Sequence, residues 1–148
     1  MESKIRRQYI KTSLYLFIAS LLLPAVSSQL GIHRGLSLLV LSIIGLPVAV
    51  LEITRYEFYL LTTYPAALAN PLYATSLYLT YKRYSYNLSF KLSVLAFFCM
   101  LSYLYNPVVP FGSDFKSISA TPNLGYFLWL FSGAFLAYGN YHLCKLVR

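Results

Sequence analysis

Few side chains in this 148-residue chain can do acid–base or metal chemistry. The acids are Glu2, Glu52, Glu57 and Asp114, and the histidines are His33 and His142. Glu52 and Glu57 form the one close acidic pair, with Arg55 between them. On a helix Glu52 and Arg55 are i,i+3 neighbours, so a surface ion pair accounts for them. His33 and Arg34 reach them only if the intervening segment folds back, which gives at most a weak polar cluster of His33, Arg34, Glu52, Arg55 and Glu57. Oxygen-ligated and transition-metal sites need more ligands than this, and His142 beside Cys144 is too sparse for a tetrahedral site. No serine lies in a nucleophile motif, and no glycine-rich phosphate loop is present. The sequence therefore predicts no enzyme activity, no cofactor and no metal. Cys99 and Cys144 are too few for a disulfide framework and are expected to be reduced.

One further polar group demands an account. Asn70 lies in Tyr64-Pro65-Ala66-Ala67-Leu68-Ala69-Asn70-Pro71-Leu72-Tyr73, inside an apolar run from Phe58 to Tyr81. Pro65 and Pro71 each remove a backbone donor and free the carbonyl four residues earlier. In hydrocarbon, those carbonyls and the Asn70 amide need protein partners. Ala66, Asn70 and Ala74 recur every fourth residue, a small-residue stripe on which another helix can approach closely. The run reads as a central helix, with Asn70 bonded to freed backbone or to the last helix near Ser132 or Gly133.

The elements that must position these groups are strongly apolar. The chain is 58% hydrophobic and 11% charged, whereas ordinary globular domains carry roughly 25% charged residues. Fifteen tyrosines and ten phenylalanines exceed the needs of a core, and tyrosine favours the water–lipid boundary. Continuous apolar runs without alternation argue against a β-barrel. The net charge of +8 is carried by residues flanking those runs, so orientation in a membrane explains it better than nucleic-acid binding.

Five apolar segments follow in order. They are 12–29, read as an uncleaved span, then 36–51, 58–81, 92–109 and 124–143. If all five cross with the N-terminus inside, the basic residues divide evenly. If 36–51 does not cross, the inner side holds Lys4, Arg6, Arg7, Lys11, Lys82, Arg83, Lys91, Lys145 and Arg148. The outer side then holds Arg34, Arg55 and Lys116. That is the positive-inside bias. The expected fold is therefore an all-α membrane protein, one integral domain over 1–148. It has four transmembrane helices forming a four-helix bundle, plus a short re-entrant or interfacial helix at 36–51 on the outer side. Both termini are expected in the cytoplasm, with the chain in a bacterial inner membrane.

The last span carries a second packing stripe. Gly125, Ser132 and Gly139 recur every seven residues, with Gly133 and Ala137 four apart. Such stripes seat helices closely, here the last helix on the central one. The series Leu22-Leu23-Pro24-Ala25, then Ala69-Asn70-Pro71-Leu72, then Gly125-Tyr126-Phe127-Leu128-Trp129-Leu130 resembles small bacterial four-span inner-membrane proteins with an LLPA, ANPL and GYxLWL pattern. This chain departs from the pattern in having Tyr64-Pro65 where a tryptophan nearer Asn70 is expected. The likeness implies a topology and no activity.

Ionisable residues within spans mark pumps and transporters, and the spans hold none except His142 at an end. The functional expectation is thus a structural or accessory integral membrane protein that packs with lipid, a membrane-protein partner or a second copy. The alternative is a small oligomeric transporter or channel.

Overall fold

A computed structural model describes residues 2–40, 43, 68–105, 107–111 and 116–147. The elements are α1 (Glu2–Leu22), β1 (Pro24–Ser28), β2 (Gly31–Arg34), α2 (Ala69–Lys82), α3 (Tyr86–Tyr105), β3 (Val108–Phe111), β4 (Lys116–Pro122) and α4 (Leu124–Leu146). Residues 35–40 are also helical.

The four-span reading is overturned. Among the described residues one helix, α3, is long and apolar enough to cross a membrane. Helix α1 starts ten residues before the apolar run and takes in Lys4, Arg6, Arg7 and Lys11. It ends at Leu22 because Pro24, which lacks an N–H, opens a strand instead, a position where proline is tolerated. Helix α2 has only 14 described residues. Helix α4 is long enough at 23 residues, but glycines, Ser132, Asn140 and its tyrosines dilute its apolar character. Helix α3 begins at Tyr86 rather than 92 and ends at Tyr105, so Val108 and Val109 belong to β3. Most of the 36–51 segment, and 58–67 of the expected central span, lie outside the described residues.

Nor is the fold all-α. The antiparallel sheet has the order β2-β1-β4-β3. A tight turn at 29–30 joins β1 to β2, pairing Ser28 with Gly31 and Ser27 with Ile32. Val26 faces Pro122 across the β1–β4 ladder. Strands β3 and β4 pair Val109 with Ile118. The sheet closes one end of the helices around buried Val26 and Ala120.

The helices do not form an evenly packed four-helix bundle either. Helix α4 lies against both α1 and α3, α2 lies mainly against α3, and α2 and α4 are joined through side chains rather than by close backbone approach. The glycines of α4 set these contacts. A Cβ on Gly139 would stand 2.6 Å from the Tyr9 ring of α1, and one on Gly133 would stand 2.6 Å from Met100 Sδ of α3. On Gly125 it would stand 2.7 Å from the Pro24 carbonyl oxygen. The last-helix stripe therefore seats α4 on α1 and α3, not on the central helix. On α1, Arg6, Ser13 and Ser20 are buried at every seventh residue, and Ser13 bonds the Ser132 carbonyl of the stripe. That spacing keeps one seam against a neighbour in antiparallel helices.

Candidate functional site

The interior of the helices holds polar groups beside an apolar cluster of Ala69, Tyr73, Ala96, Met100 and Leu136. Ser13, Ser76, Ser89, Ser93 and Ser132 are wholly buried, with Thr80 and Asn140 almost so. Tyr15, Ile18, Leu95, Phe98, Phe131 and Tyr138 face outward. Folds in water bury apolar groups and expose serine, threonine and asparagine. Here both kinds are buried, the apolar cluster beside the polar groups, while large apolar side chains also face outward.

Helix α2 buries Ala69, Tyr73, Ser76 and Thr80, and α3 presents Ser89 and Ser93. Asn140 of α4 reaches into this group. Its Nδ2 donates to Ser76 Oγ (3.1 Å) and Ser93 Oγ (3.3 Å). Thr80 Oγ1 donates to Asn140 Oδ1 (2.7 Å). A hydroxyl has one proton, so at the 2.5 Å contact between Thr80 and Ser89 the donor is Ser89. Ser76 then donates to the Ser89 carbonyl (2.9 Å) and Ser93 to the Phe90 carbonyl (2.8 Å). Each proton is used once and no side-chain donor is left over. A closed set of this kind satisfies itself without water, which is the condition for burying polar groups at low cost. It contains no titratable side chain and no nucleophile with a base beside it.

A second polar contact lies nearer the sheet. Ser13 Oγ donates to the Ser132 carbonyl (2.9 Å), so the Tyr73 hydroxyl is the donor in its 2.7 Å contact with Ser13. Ser132 Oγ donates to the Trp129 carbonyl (2.6 Å). Tyr126 donates to the Met100 carbonyl (2.8 Å).

Asn70 is half-buried and accepts from Trp129 Nε1 (3.0 Å). Its partner is on the last helix, one turn before Ser132 and Gly133. Ala66 lies outside the described residues and Ala74 is exposed, so the Asn70–Ala74 part of the stripe is not the face α2 buries. The buried face is displaced by one residue to Ala69, Tyr73, Ser76 and Thr80. Pro71 falls in the first turn of α2, where a missing N–H breaks no helical bond. Its carbonyl accepts from Thr75 Oγ1 (2.8 Å).

His33 Nε2 meets Ser28 Oγ (3.0 Å) across the hairpin, and Arg34 is exposed on β2. Glu52, Arg55, Glu57 and Pro65 lie outside the described residues. Among the described residues no three of His, Cys, Asp or Glu come together, and both cysteines are free thiols. Sequence reasoning missed the Ser76–Thr80–Ser89–Ser93–Asn140 group. Its signal was present as hydroxyls four residues apart on two successive helices. No family model matches this chain, and neither a curated protein nor a solved structure is similar to it.

Proposed function

We propose that the chain is an accessory membrane protein whose apolar exterior packs against lipid and a membrane-protein partner, acting by binding rather than by catalysis. What supports the reading is the pairing of buried, mutually bonded serine, threonine and asparagine side chains with many large apolar side chains on the exterior. Among the described residues, Leu88, Leu95, Phe98, Leu101, Leu104 and Tyr105 of α3 stand exposed. Helices that cover apolar faces with lipid hold polar groups inward, each bonded to a neighbour.

The orientation belongs to the same proposal. The Tyr86 hydroxyl donates to Glu2 (2.6 Å) and Thr80 to Asn140, which brings the start of α1, the end of α2, the start of α3 and the end of α4 to one end. That end carries Lys4, Arg6, Arg7, Lys11, Lys82, Arg83 and Lys145 and is assigned to the cytoplasmic side of a bacterial inner membrane. Single cysteines replacing Tyr84 and Ser119, which flank α3, in a Cys99→Ser/Cys144→Ser background test it. An impermeant thiol reagent added outside should label the second and not the first. The accessory role is tested by purification in mild detergent, which should bring down a larger membrane protein. Release of the chain from membranes by alkaline carbonate would overturn the membrane reading. Solute flux by the purified protein alone in liposomes would replace the accessory role with that of an oligomeric channel or transporter.

A further inference from the structure

The cationic end carries one feature that the closed polar group does not explain. Arg6 is only 8% exposed, and its Nη1 is buried with no hydrogen-bond partner. The rest of the guanidinium lies against the Tyr86 hydroxyl, but a buried guanidinium nitrogen without a partner is costly, and a planar fork of donors suits phosphate. Arg6 and Glu2 both lie within electrostatic reach of the Tyr86 hydroxyl. The Glu2 carboxylate, the one acidic group among the described residues at this end, accepts that hydroxyl's hydrogen bond (2.6 Å). Arg7, Lys82 and Arg83 add exposed positive charge around it.

We infer that this end is a phosphate site in which Arg6 takes the headgroup phosphate of an anionic phospholipid. The Tyr86 hydroxyl serves as a second donor once Glu2 gives way. The inference rests on the membrane reading and deepens it, since clustered basic residues at the inner interface draw anionic lipid. Glu2 is an internal competitor: it holds the place that a phosphate oxygen takes when lipid is bound.

The test is native mass spectrometry of the full chain released from nanodiscs containing equal phosphatidylcholine and phosphatidylglycerol. Wild type should retain phosphatidylglycerol about tenfold over phosphatidylcholine, Arg6→Gln should bring the ratio near one, and Glu2→Gln should raise it. Equal retention by wild type, or an unchanged preference in Arg6→Gln, would overturn the proposal. Should Arg6→Gln lose its helical circular dichroism, Glu2→Gln decides, because its residue opens α1; no gain in preference there would overturn the proposal. Inorganic phosphate forms a separate arm. If millimolar phosphate raises the melting temperature of wild type but not of Arg6→Gln while both lipids are retained equally, the site takes a soluble phosphate and the lipid assignment fails. Resistance to carbonate extraction is scored separately, so failure of the lipid preference in a membrane-bound protein counts against this site alone.

Discussion

At the cationic end, the interior between α2, α3 and α4 holds five polar side chains that satisfy one another. At the opposite end, the interior is closed by strand ladders around Val26 and Ala120. Both ends remove polar groups from water, but the first relies on residue identity and the second on backbone geometry. A ladder bond survives most side-chain changes, whereas a closed side-chain set loses a partner whenever one member is replaced. Substitutions within the helices should therefore cost more than substitutions beside the sheet.

The largest effect should come from Gly139→Ile beside the polar group. The new side chain meets the Tyr9 ring, which is itself packed on Phe135, Tyr138 and His142. Overpacking of this kind costs about 3 kcal/mol, seen as a large fall in melting temperature in mild detergent. Asn140→Leu comes next, at about 2 kcal/mol, because Thr80, Ser76 and Ser93 each lose a partner in a dry interior. With no titratable group in the set, this loss should be the same at pH 6 and pH 8; a pH-dependent loss would show that another group enters the cluster. Pairing Asn140→Leu with Thr80→Val should cost less than the sum of the single changes, since both break the same bond.

At the sheet end, Asn123→Ala removes the bond from Nδ2 to Ser27 Oγ (2.7 Å) but leaves the backbone bond from Asn123 to Ala25. About 1 kcal/mol is expected, additive with Asn140→Leu because the two sites share no partner. A cost at Asn123 equal to that at Asn140 would break the contrast between the ends. Smallest should be Asn70→Ala, which takes the acceptor from Trp129 Nε1. Hydrogen bonds between helices in bilayers average about 0.6 kcal/mol, and the half-buried position lets solvent or a headgroup replace the amide. A loss above that of Asn123→Ala would mark Asn70 as part of the interior after all.

Several features were readable in the residues. Pro122-Asn123 precedes α4, as local backbone rules require, whereas the expected first span runs through Pro24 to residue 29 and α1 stops at Leu22. The seven-residue recurrence of Gly125, Ser132 and Gly139 identified a close-packing face on α4. Its partner was not readable, because a stripe of small residues says how near a neighbour comes and not which neighbour it is. On α2 the choice between Ala66–Asn70–Ala74 and Ala69–Tyr73–Ser76–Thr80 turned on one residue of helix phase. The amide of Asn70 drew attention to the wrong one. The strands escaped notice for a different reason: four to seven residues long, they lie at the ends of apolar runs and in a Ser-rich loop, too short for alternation to stand out.

By itself the sequence determined the strongly apolar character of the chain and the clustering of basic residues beside its apolar runs. These follow from composition and one-dimensional order. Tertiary structure alone decided where the helices begin and end against one another, which glycine faces which ring, and that five separated side chains form one closed hydrogen-bonded set. Those outcomes depend on helix phase and on contacts as far apart in sequence as Thr80 and Asn140. No local pattern encodes them, because each is settled only when two faces compete for the same neighbour.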